Sequence, residues 1–294
     1  MSASLAHASI ASTSHSCSAP PSVKPSALEI EASLKDVGWI HIPGSCTSIE
    51  GFSDTLRSLV VSVTFDPARE YADGSTQKVS AGREAIGYHI ENGNTPLPPD
   101  IVAFYCATAA KWGSQTIVCD GAQLWAAMSA QTKRCFREPI TVQRNLEAPL
   151  WKRYVATALH RKSPSDVSYA DLYGFLTSIP GQRGRLIDNE MLEYSLTLPA
   201  IRDDNVDGVP AFANALLGPS FNYETPEYTF ANGRQISNEI IAELTELGER
   251  FTHEISWSSG DLVIIDNKRV MHGRHKIIGP LSDRQLYIGM GMRG

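Results

Sequence analysis

The sequence predicts a mainly β protein with helical insertions (α+β), folded as a β-sandwich or barrel in one domain. Many short apolar segments alternate with turn-forming residues along the 294-residue chain, which is typical of a core built from short strands. Most helical patterns lie in an early part and a middle part of the chain, and no repeat or internal linker divides it. These features favour layers of sheet around one core, with helices added to it.

Charge and cysteine usage exclude several classes of function. A formal net charge of −6 argues against a nucleic-acid binder, which usually carries a basic stripe. No apolar run is long enough to cross a bilayer, so we expect no membrane partner. The five cysteines form no C-x-x-C pair. We therefore interpret them as reduced thiols and expect a cytoplasmic protein.

The first two dozen residues differ in composition from the rest of the chain. Residues 1–24 are rich in Ser and Ala and contain no Arg, which fits neither a secretory signal nor the usual transit peptide and predicts a mobile tail. Order is expected from Pro25, where Ser26 and Glu29 have the spacing of a capping box. We therefore expect one domain over residues 25–294.

The remaining elements follow from apolar periodicity and turn residues. Helices are predicted at 26–37, 49–60, 121–128, 151–159, 169–176 and 237–250. Strands are predicted at 39–42, 87–92, 101–106, 114–120, 192–198, near Phe212, and at 227–230, 255–257, 262–266 and 284–290. Residues 66–80 are predicted to be a polar loop, 181–184 a break, and 255–266 a hairpin-like unit.

His89 and Glu91 are the strongest chemical signal in the chain. Side chains two residues apart on a strand point to the same side, so an imidazole and a carboxylate would lie together, as in a facial metal site of two histidines and one carboxylate. His272 is the candidate third ligand, because it follows a hydrophobic strand. His275 faces the opposite way on an extended strand, and its basic neighbours predict that it points to solvent.

Two imidazoles and one carboxylate suit Fe(II) and leave coordination positions open. Those positions match the needs of a 2-oxoacid co-substrate and O2. The second carboxylate of such a co-substrate requires a permanent cation, and Arg284 on the next predicted strand can provide one. The G-x-G-x-x-G at residues 289–294 ends the chain, so it lacks the helix that a dinucleotide site needs.

A set of segments in a fixed order extends this interpretation. They are His89-Ile90-Glu91, Pro98-Pro99-Asp100-Ile101-Val102-Ala103-Phe104-Tyr105-Cys106, Gly113-Ser114-Gln115-Thr116, Cys119-Asp120-Gly121, Trp257-Ser258-Ser259-Gly260-Asp261-Leu262, Asp266-Asn267-Lys268-Arg269-Val270-Met271-His272-Gly273-Arg274 and Asp283-Arg284. Over about residues 38–290 the chain resembles the taurine dioxygenase and clavaminate synthase-like family of Fe(II)- and 2-oxoglutarate-dependent oxygenases.

The resemblance implies a fold, ligands and a reaction. The fold would be a double-stranded β-helix (jelly roll, cupin-like) with helical insertions, and His89, Glu91 and His272 would bind Fe(II). Arg284 and Thr116 would bind 2-oxoglutarate, and O2 would be the other co-substrate. Related halogenases replace the carboxylate ligand by a small residue, so Glu91 favours hydroxylation, desaturation or cyclisation over halogenation.

The resemblance leaves the primary substrate open. Many relatives that bind anionic substrates have a second Arg four residues after the cofactor Arg, where this chain has Ile288. We expect a small molecule, either amino-acid-like or a specialised metabolite. The candidate substrate contacts are Asn92, Asn94, Phe212, Asn214 and Arg274. Relatives are often oligomers, which keeps a homo-oligomer open.

Two other functions remain compatible with the same residues. A metal-dependent hydrolase or isomerase could use the three ligands with Zn or Mn. A jelly-roll binding protein could retain the site without activity.

Overall fold

A computed structural model describes residues 25–80, 82–161, 163–218 and 225–294; the tail predicted for residues 1–24 lies outside them. The α-helices of this part are α1 (Ala27–Asp36), α2 (Ile49–Leu59), α3 (Gly121–Ala127), α4 (Ala130–Cys135), α5 (Ala148–Ala158), α6 (Tyr169–Ser178) and α7 (Asn238–Arg250). The strands are β1 (Trp39–Ile42), β2 (Ser62–Thr64), β3 (Thr76–Lys78), β4 (Ile86–His89), β5 (Ile101–Thr108), β6 (Trp112–Gly113), β7 (Thr116–Asp120), β8 (Ile140–Leu146), β9 (Gln182–Leu186), β10 (Leu192–Leu198), β11 (Ile201–Arg202), β12 (Ala211–Phe212), β13 (Glu227–Phe230), β14 (Thr252–Ile255), β15 (Leu262–Asp266), β16 (Val270–Arg274), β17 (Ile277–Ile278) and β18 (Gln285–Met292).

Two antiparallel sheets form the centre of the fold. The larger has the order β1-β15-β5-β18-β2, with β3 also paired to β18, and the smaller has the order β14-β7-β16-β4. One apolar cluster contains side chains from both sheets, among them Val102 of β5, Val118 of β7 and Val270 of β16. The two sheets therefore share a core, as the sequence predicts for a mainly β protein with helical insertions.

Helices cover the outer faces of both sheets. α1 and α2 pack on the larger sheet through Leu34, Phe52 and Leu56. The predicted capping box begins α1: the Ser26 hydroxyl accepts from the Glu29 N–H, and the Glu29 carboxylate accepts from the Ser26 N–H. α3 and α7 pack on the smaller sheet, against Cys119 and Met271 among others. This arrangement leaves the metal-ligand candidates at one edge of the smaller sheet.

A third sheet and two helices form a layer beside this core. Its order is β13-β8-β10-β9, and α5 and α6 pack on one face of it. Their shared cluster includes Trp151, Leu172, Leu176 and Leu192. This unit is the helical insertion that the middle of the sequence predicts.

Several local predictions are wrong. The predicted hairpin at 255–266 does not form, because β14 pairs with β7 in one sheet and β15 pairs with β5 in the other. The predicted loop at 66–80 contains β3. The helical pattern breaks at 181–184 as predicted, but β9 begins there, at Gln182, and was not predicted. Both of these strands are polar, and they form by pairing with β18 and β10.

None of the helices in the described ranges has the length and apolar character needed to span a membrane. Cys46, Cys106, Cys119 and Cys135 are not joined in disulfides within the described residues, and Cys17 lies outside them.

Candidate metal centre

The two candidate histidine ligands come from neighbouring strands of the smaller sheet. His89 ends β4, His272 lies within β16, and the two residues are directly opposite each other in the antiparallel register. Opposite residues in such a pair lie close together on one face, and the two ring centroids are 4.5 Å apart. The Phe104 ring packs edge-on against His272 from the larger sheet. Strand pairing thus joins two imidazoles that are distant in the sequence.

Glu91 reaches the histidines from just beyond the end of β4. The sequence predicts Glu91 on one strand with His89, but β4 ends at His89 and Asn92 has a positive φ of 54°. The Asn267 side chain holds this turn: its Oδ1 accepts from the Glu91 N–H at 2.8 Å, and its Nδ2 donates to the Glu91 carbonyl at 3.1 Å. Glu91 Oε2 consequently lies 3.6 Å from His272 Nε2.

His89, Glu91 and His272 are the group of metal-ligand side chains found within the described residues, with ligand atoms all within 4.8 Å of one another. The Nδ1 of His89 lies 2.8 Å from the Gly87 carbonyl; because a carbonyl only accepts, Nδ1 carries the proton and Nε2 is free to bind a metal. Two imidazoles and a carboxylate are the donor set of mononuclear Fe(II) oxygenases. The residues therefore fit Fe(II).

Charge interactions favour the protonation states that metal binding needs. Burial and the neighbouring His272 lower the pKa of His89 to about 4, so its imidazole is neutral at physiological pH. Burial alone would raise the pKa of Glu91, but the Arg69 guanidinium and the two imidazoles outweigh burial and lower it well below its usual value. The site thus presents a carboxylate and a neutral imidazole without a metal having to displace their protons.

Arg69 is the group that contributes most to the low pKa of Glu91. Its Nη2 donates to Glu91 Oε1 at 2.8 Å, on the oxygen that does not face His272. Arg69 is not among the site residues that the sequence predicts, because nothing in the polar segment around it indicates that this loop folds back over the candidate ligands. Asn267 was assigned no role either, although it lies in a motif that carries the family resemblance.

The two residues predicted to bind 2-oxoglutarate lie near Arg274, which is on the strand of His272. Thr116 is opposite Arg274 in the pairing of β7 with β16, and its hydroxyl accepts from Trp257 Nε1 at 2.9 Å. Arg284 immediately precedes β18. Burial and the nearby charge of Arg274 lower the pKa of Arg284 to about 10, which leaves it cationic at neutral pH. Two guanidinium groups held near each other make a favourable place for a carboxylate.

The predicted substrate contacts separate into two groups. Phe212 is fully buried and packs edge-on against Phe136. Asn214 is also fully buried, and its side chain bonds the Ala200 carbonyl and the Leu216 N–H. Both side chains are engaged within the fold, so their geometry gives a substrate role no support.

The other three substrate candidates lie nearer to open space or to the cofactor residues. Asn94 accepts from the Tyr228 hydroxyl at 2.6 Å and lines a cleft beside α5 and α6. The side-chain Nδ2 of Asn92 makes a long contact, 4.0 Å, to the Met290 sulfur. Arg274 donates to the carbonyls of Gly82 and Glu84. A role in substrate binding remains a prediction for all three.

His275, the competing third ligand, lies outside the centre. Its side chain is 46% exposed and contacts Glu254, in agreement with the prediction that it faces solvent. His272 lies within the buried strand β16, whereas His275 follows the end of that strand, so His272 is the third candidate ligand.

Comparisons with known proteins agree with this geometry. The structure resembles that of a taurine dioxygenase from Burkholderia xenovorans, with a TM-score of 0.58 and 16% identity over 94% of this chain and 84% of that one. It also resembles AAD-2, solved with Mn(II) and N-oxalylglycine, with a TM-score of 0.57 and 14% identity over 93% and 89% of the two chains. An asparagine oxygenase in complex with Fe(II), 2S,3S-3-hydroxyasparagine and succinate gives a TM-score of 0.54 and 16% identity over 90% and 78%.

At these identities, the structural similarities establish the fold alone. No curated protein sequence gave a significant match. The family model described as taurine catabolism dioxygenase TauD, TfdA family, matches residues 18–287. The chain therefore belongs to the TauD/TfdA family of dioxygenases.

Proposed function

We propose that the protein is an Fe(II)- and 2-oxoglutarate-dependent dioxygenase that oxidises an unactivated C–H bond of a small molecule. The observation that carries this proposal is the convergence of His89, Glu91 and His272. Thr116 lies on the strand paired with that of His272, and Arg284 lies near Arg274 of the His272 strand. The two central sheets with a shared core support a double-stranded β-helix, or jelly roll, as the framework of this site.

The three ligand side chains would hold Fe(II), and Arg284 and Thr116 would hold 2-oxoglutarate. When bound, Fe(II) and 2-oxoglutarate supply the oxidising chemistry: O2 is consumed, 2-oxoglutarate becomes succinate and CO2, and the substrate gains one oxygen or loses two hydrogens. Arg284 neutralises the distal carboxylate of 2-oxoglutarate, and the Thr116 hydroxyl, oriented by Trp257, donates to that carboxylate. His89 and Glu91 offer lone pairs without first losing a proton.

A cleft between the loop after Glu91 and helices α5 and α6 is where an apolar part of the substrate would lie. Its free volume is about 50 Å³, below the usual range for small-molecule sites, so a substrate has to use the mouth of the cleft or widen it. Its walls carry the apolar side chains Leu146, Trp151, Val155, Leu172, Phe175, Leu176 and Leu192, and its polar groups include Asn94, Arg144 and Tyr154.

This cleft is connected to the candidate metal centre by charged and polar groups. The side chain of Tyr154 interacts electrostatically with Arg69, and Arg69 donates a hydrogen bond to Glu91. Asn94 lies three residues after Glu91 in the chain.

The Ile288 side chain, at the position where many relatives have a second Arg, is fully buried in the core between the two central sheets. Binding of an anionic substrate next to Arg284 therefore has no support, and an apolar specialised metabolite fits better than a taurine-like molecule.

The test is a screen of apolar small molecules with the Fe(II)-loaded enzyme, 2-oxoglutarate and O2. A substrate should increase succinate release in step with O2 uptake, and this activity should disappear in His272→Ala. Mass spectrometry of the product distinguishes a gain of one oxygen from a loss of two hydrogens. A substrate that is hydrolysed or isomerised without succinate formation would instead favour the metal-dependent hydrolase or isomerase.

A matched pair of variants tests the cleft once a substrate is known. Tyr154→Phe removes a hydroxyl from the cleft, and Tyr169→Phe removes one from the exposed face of α6, where it contacts Glu190. We expect the KM for the substrate to change several-fold in the first variant only, with the KM for 2-oxoglutarate unchanged in both. Equal substrate KM values in both variants and the wild type would place the substrate elsewhere.

A further inference from the structure

The two oxygens of the Glu91 carboxylate have different partners. Oε2 lies 3.6 Å from His272 Nε2 and faces the other ligands. Oε1 accepts a hydrogen bond from Arg69 Nη2 at 2.8 Å. The side chains of Glu91 and Arg69 are only 6% and 17% exposed, so water competes weakly for this pair and the interaction is stronger than a surface ion pair.

The loop that carries Arg69 is held in place by its own hydrogen bonds. Asp66 Oδ2 lies 3.5 Å from Arg69 Nε, and Asp66 Oδ1 accepts from the Ala68 N–H at 2.8 Å. Gln77 in β3 bonds both backbone groups of Asp66, with its Oε1 accepting from the N–H and its Nε2 donating to the carbonyl. Arg69 is therefore held against Glu91 by a loop fixed to the larger sheet.

This contact has a direct consequence for metal binding. A carboxylate can bind a cation through one oxygen or through both, and the choice changes how many positions remain for other ligands. An arginine that bonds one oxygen competes with the metal for that oxygen and favours metal binding through the other one. Groups that hydrogen-bond metal ligands commonly orient them and change metal affinity.

We propose that Arg69 is a positioning residue of the metal centre, which fixes Glu91 as a one-oxygen ligand. This inference rests on the proposed function only in assuming that His89, Glu91 and His272 hold a metal. The same contact occupies the Glu91 oxygen that a substrate ammonium group could otherwise use.

The experiment measures Co(II) binding to the metal-free protein, because the intensity of the Co(II) visible absorption reports the coordination number and requires no turnover. We expect Arg69→Met to bind Co(II) about 10- to 100-fold more weakly than the wild type, with an altered visible spectrum. Arg69→Lys restores a hydrogen bond to Oε1 and should recover much of the affinity. Asp66→Asn keeps Arg69 but loosens it, and should give an intermediate loss.

Arg202→Met is the matched control. Arg202 pairs with Asp204 through two hydrogen bonds, and its side chain is 15% exposed, close to the value for Arg69. This variant should retain wild-type Co(II) affinity and spectrum, and circular dichroism checks the folding of all variants. If Arg69→Met does not fold, Arg69→Lys and Asp66→Asn still decide the outcome.

Wild-type Co(II) affinity and an unchanged spectrum in the Arg69 and Asp66 variants would overturn the proposal. So would a wild-type protein that binds no Co(II) at all. Co(II) binding that depends on Arg69, together with no succinate formation from 2-oxoglutarate, would sustain the role of Arg69 and count against the oxygenase.

Discussion

His272 lies directly opposite His89 where β16 pairs with β4, and the two imidazole centroids are 4.5 Å apart. The pairing explains how ligands from distant parts of the chain meet without a dedicated loop. It also makes the candidate metal centre sensitive to small displacements of β16, since the sheet sets the distance between the two rings.

A substitution at Gly273 tests how sensitive the metal centre is to a displacement of β16. A Cβ at this position would lie 2.5 Å from the Ile86 carbonyl oxygen and 2.9 Å from that of Gly87, so Gly273→Ala must push β16 away from β4. We expect a loss of about 1–3 kcal/mol in stability and at least a tenfold loss in Co(II) affinity. Gly74→Ala is the control, because a Cβ there meets nothing within 4 Å. Unchanged Co(II) affinity in Gly273→Ala would show that strand pairing does not set the ligand geometry.

Asn267 holds the backbone of Glu91 and also donates to the Pro99 carbonyl at 2.9 Å. Asn267→Ala leaves these buried backbone groups unpaired, and we expect a loss of about 2–4 kcal/mol in stability together with weaker metal binding. Asn214→Ala is a matched variant, because its amide is equally buried and also bonds the backbone. It should lose stability but keep its metal affinity. Equal metal affinity in the two variants would contradict the role given to Asn267.

Substitutions of Arg284 and Thr116 should weaken 2-oxoglutarate binding and leave the metal affinity unchanged. We expect Arg284→Met to raise the KM for 2-oxoglutarate about 100-fold or more, since it removes a buried cation from a charge-assisted contact. Thr116→Val keeps the shape and removes the hydroxyl, so a rise of about tenfold is expected. Both are measured from succinate release with Co(II) affinity as the control. A normal KM in Arg284→Met would remove Arg284 from the cofactor site.

The low pKa of His89 makes the stability of the metal-free protein depend on pH. In the unfolded chain His89 takes up a proton near its ordinary pKa of 6.5, whereas the folded protein resists protonation until about pH 4. The unfolded state therefore binds more protons over this range, and stability falls as the pH falls. Urea unfolding measures the free energy of unfolding at pH 7 and at about pH 4.5. Between these two pH values His89→Gln should lose about 2 kcal/mol less stability than the wild type. An equal loss of stability in the two proteins would contradict the lowered pKa of His89.

The sequence predicted the ligand residues better than it predicted their surroundings. His89 and Glu91 were identified from their two-residue spacing on a predicted strand, and His272 from its place after a hydrophobic strand. Glu91 does not share the strand of His89, however, because a turn held by Asn267 brings it to the site. Single-sequence patterns contain no information on such a turn, because the group that holds it comes from a distant segment.

Contacts between distant segments account for the other errors as well. Arg69 was missed since the fold of its loop depends on Gln77 in β3, a polar strand with no apolar alternation. The segment around Ser258 has the composition of a hairpin turn, but it connects the two central sheets. Phe212 was a candidate substrate contact, yet its aromatic side chain belongs to the core. Local apolar periodicity predicted most helices and strands. It did not predict which strands pair with each other, and strand pairing decides where each element lies in the fold.

The most direct test of the metal centre and its cofactor is the visible spectrum of the anaerobic protein with Fe(II) and 2-oxoglutarate. Chelation of Fe(II) by a 2-oxoacid gives a charge-transfer band in the visible range. We expect the band in the wild-type protein, its loss in His272→Ala, and its appearance in Arg284→Met only at much higher 2-oxoglutarate concentration. A wild-type protein that binds Fe(II) and shows no band at saturating 2-oxoglutarate would contradict the assignment of this site to a 2-oxoglutarate-dependent oxygenase.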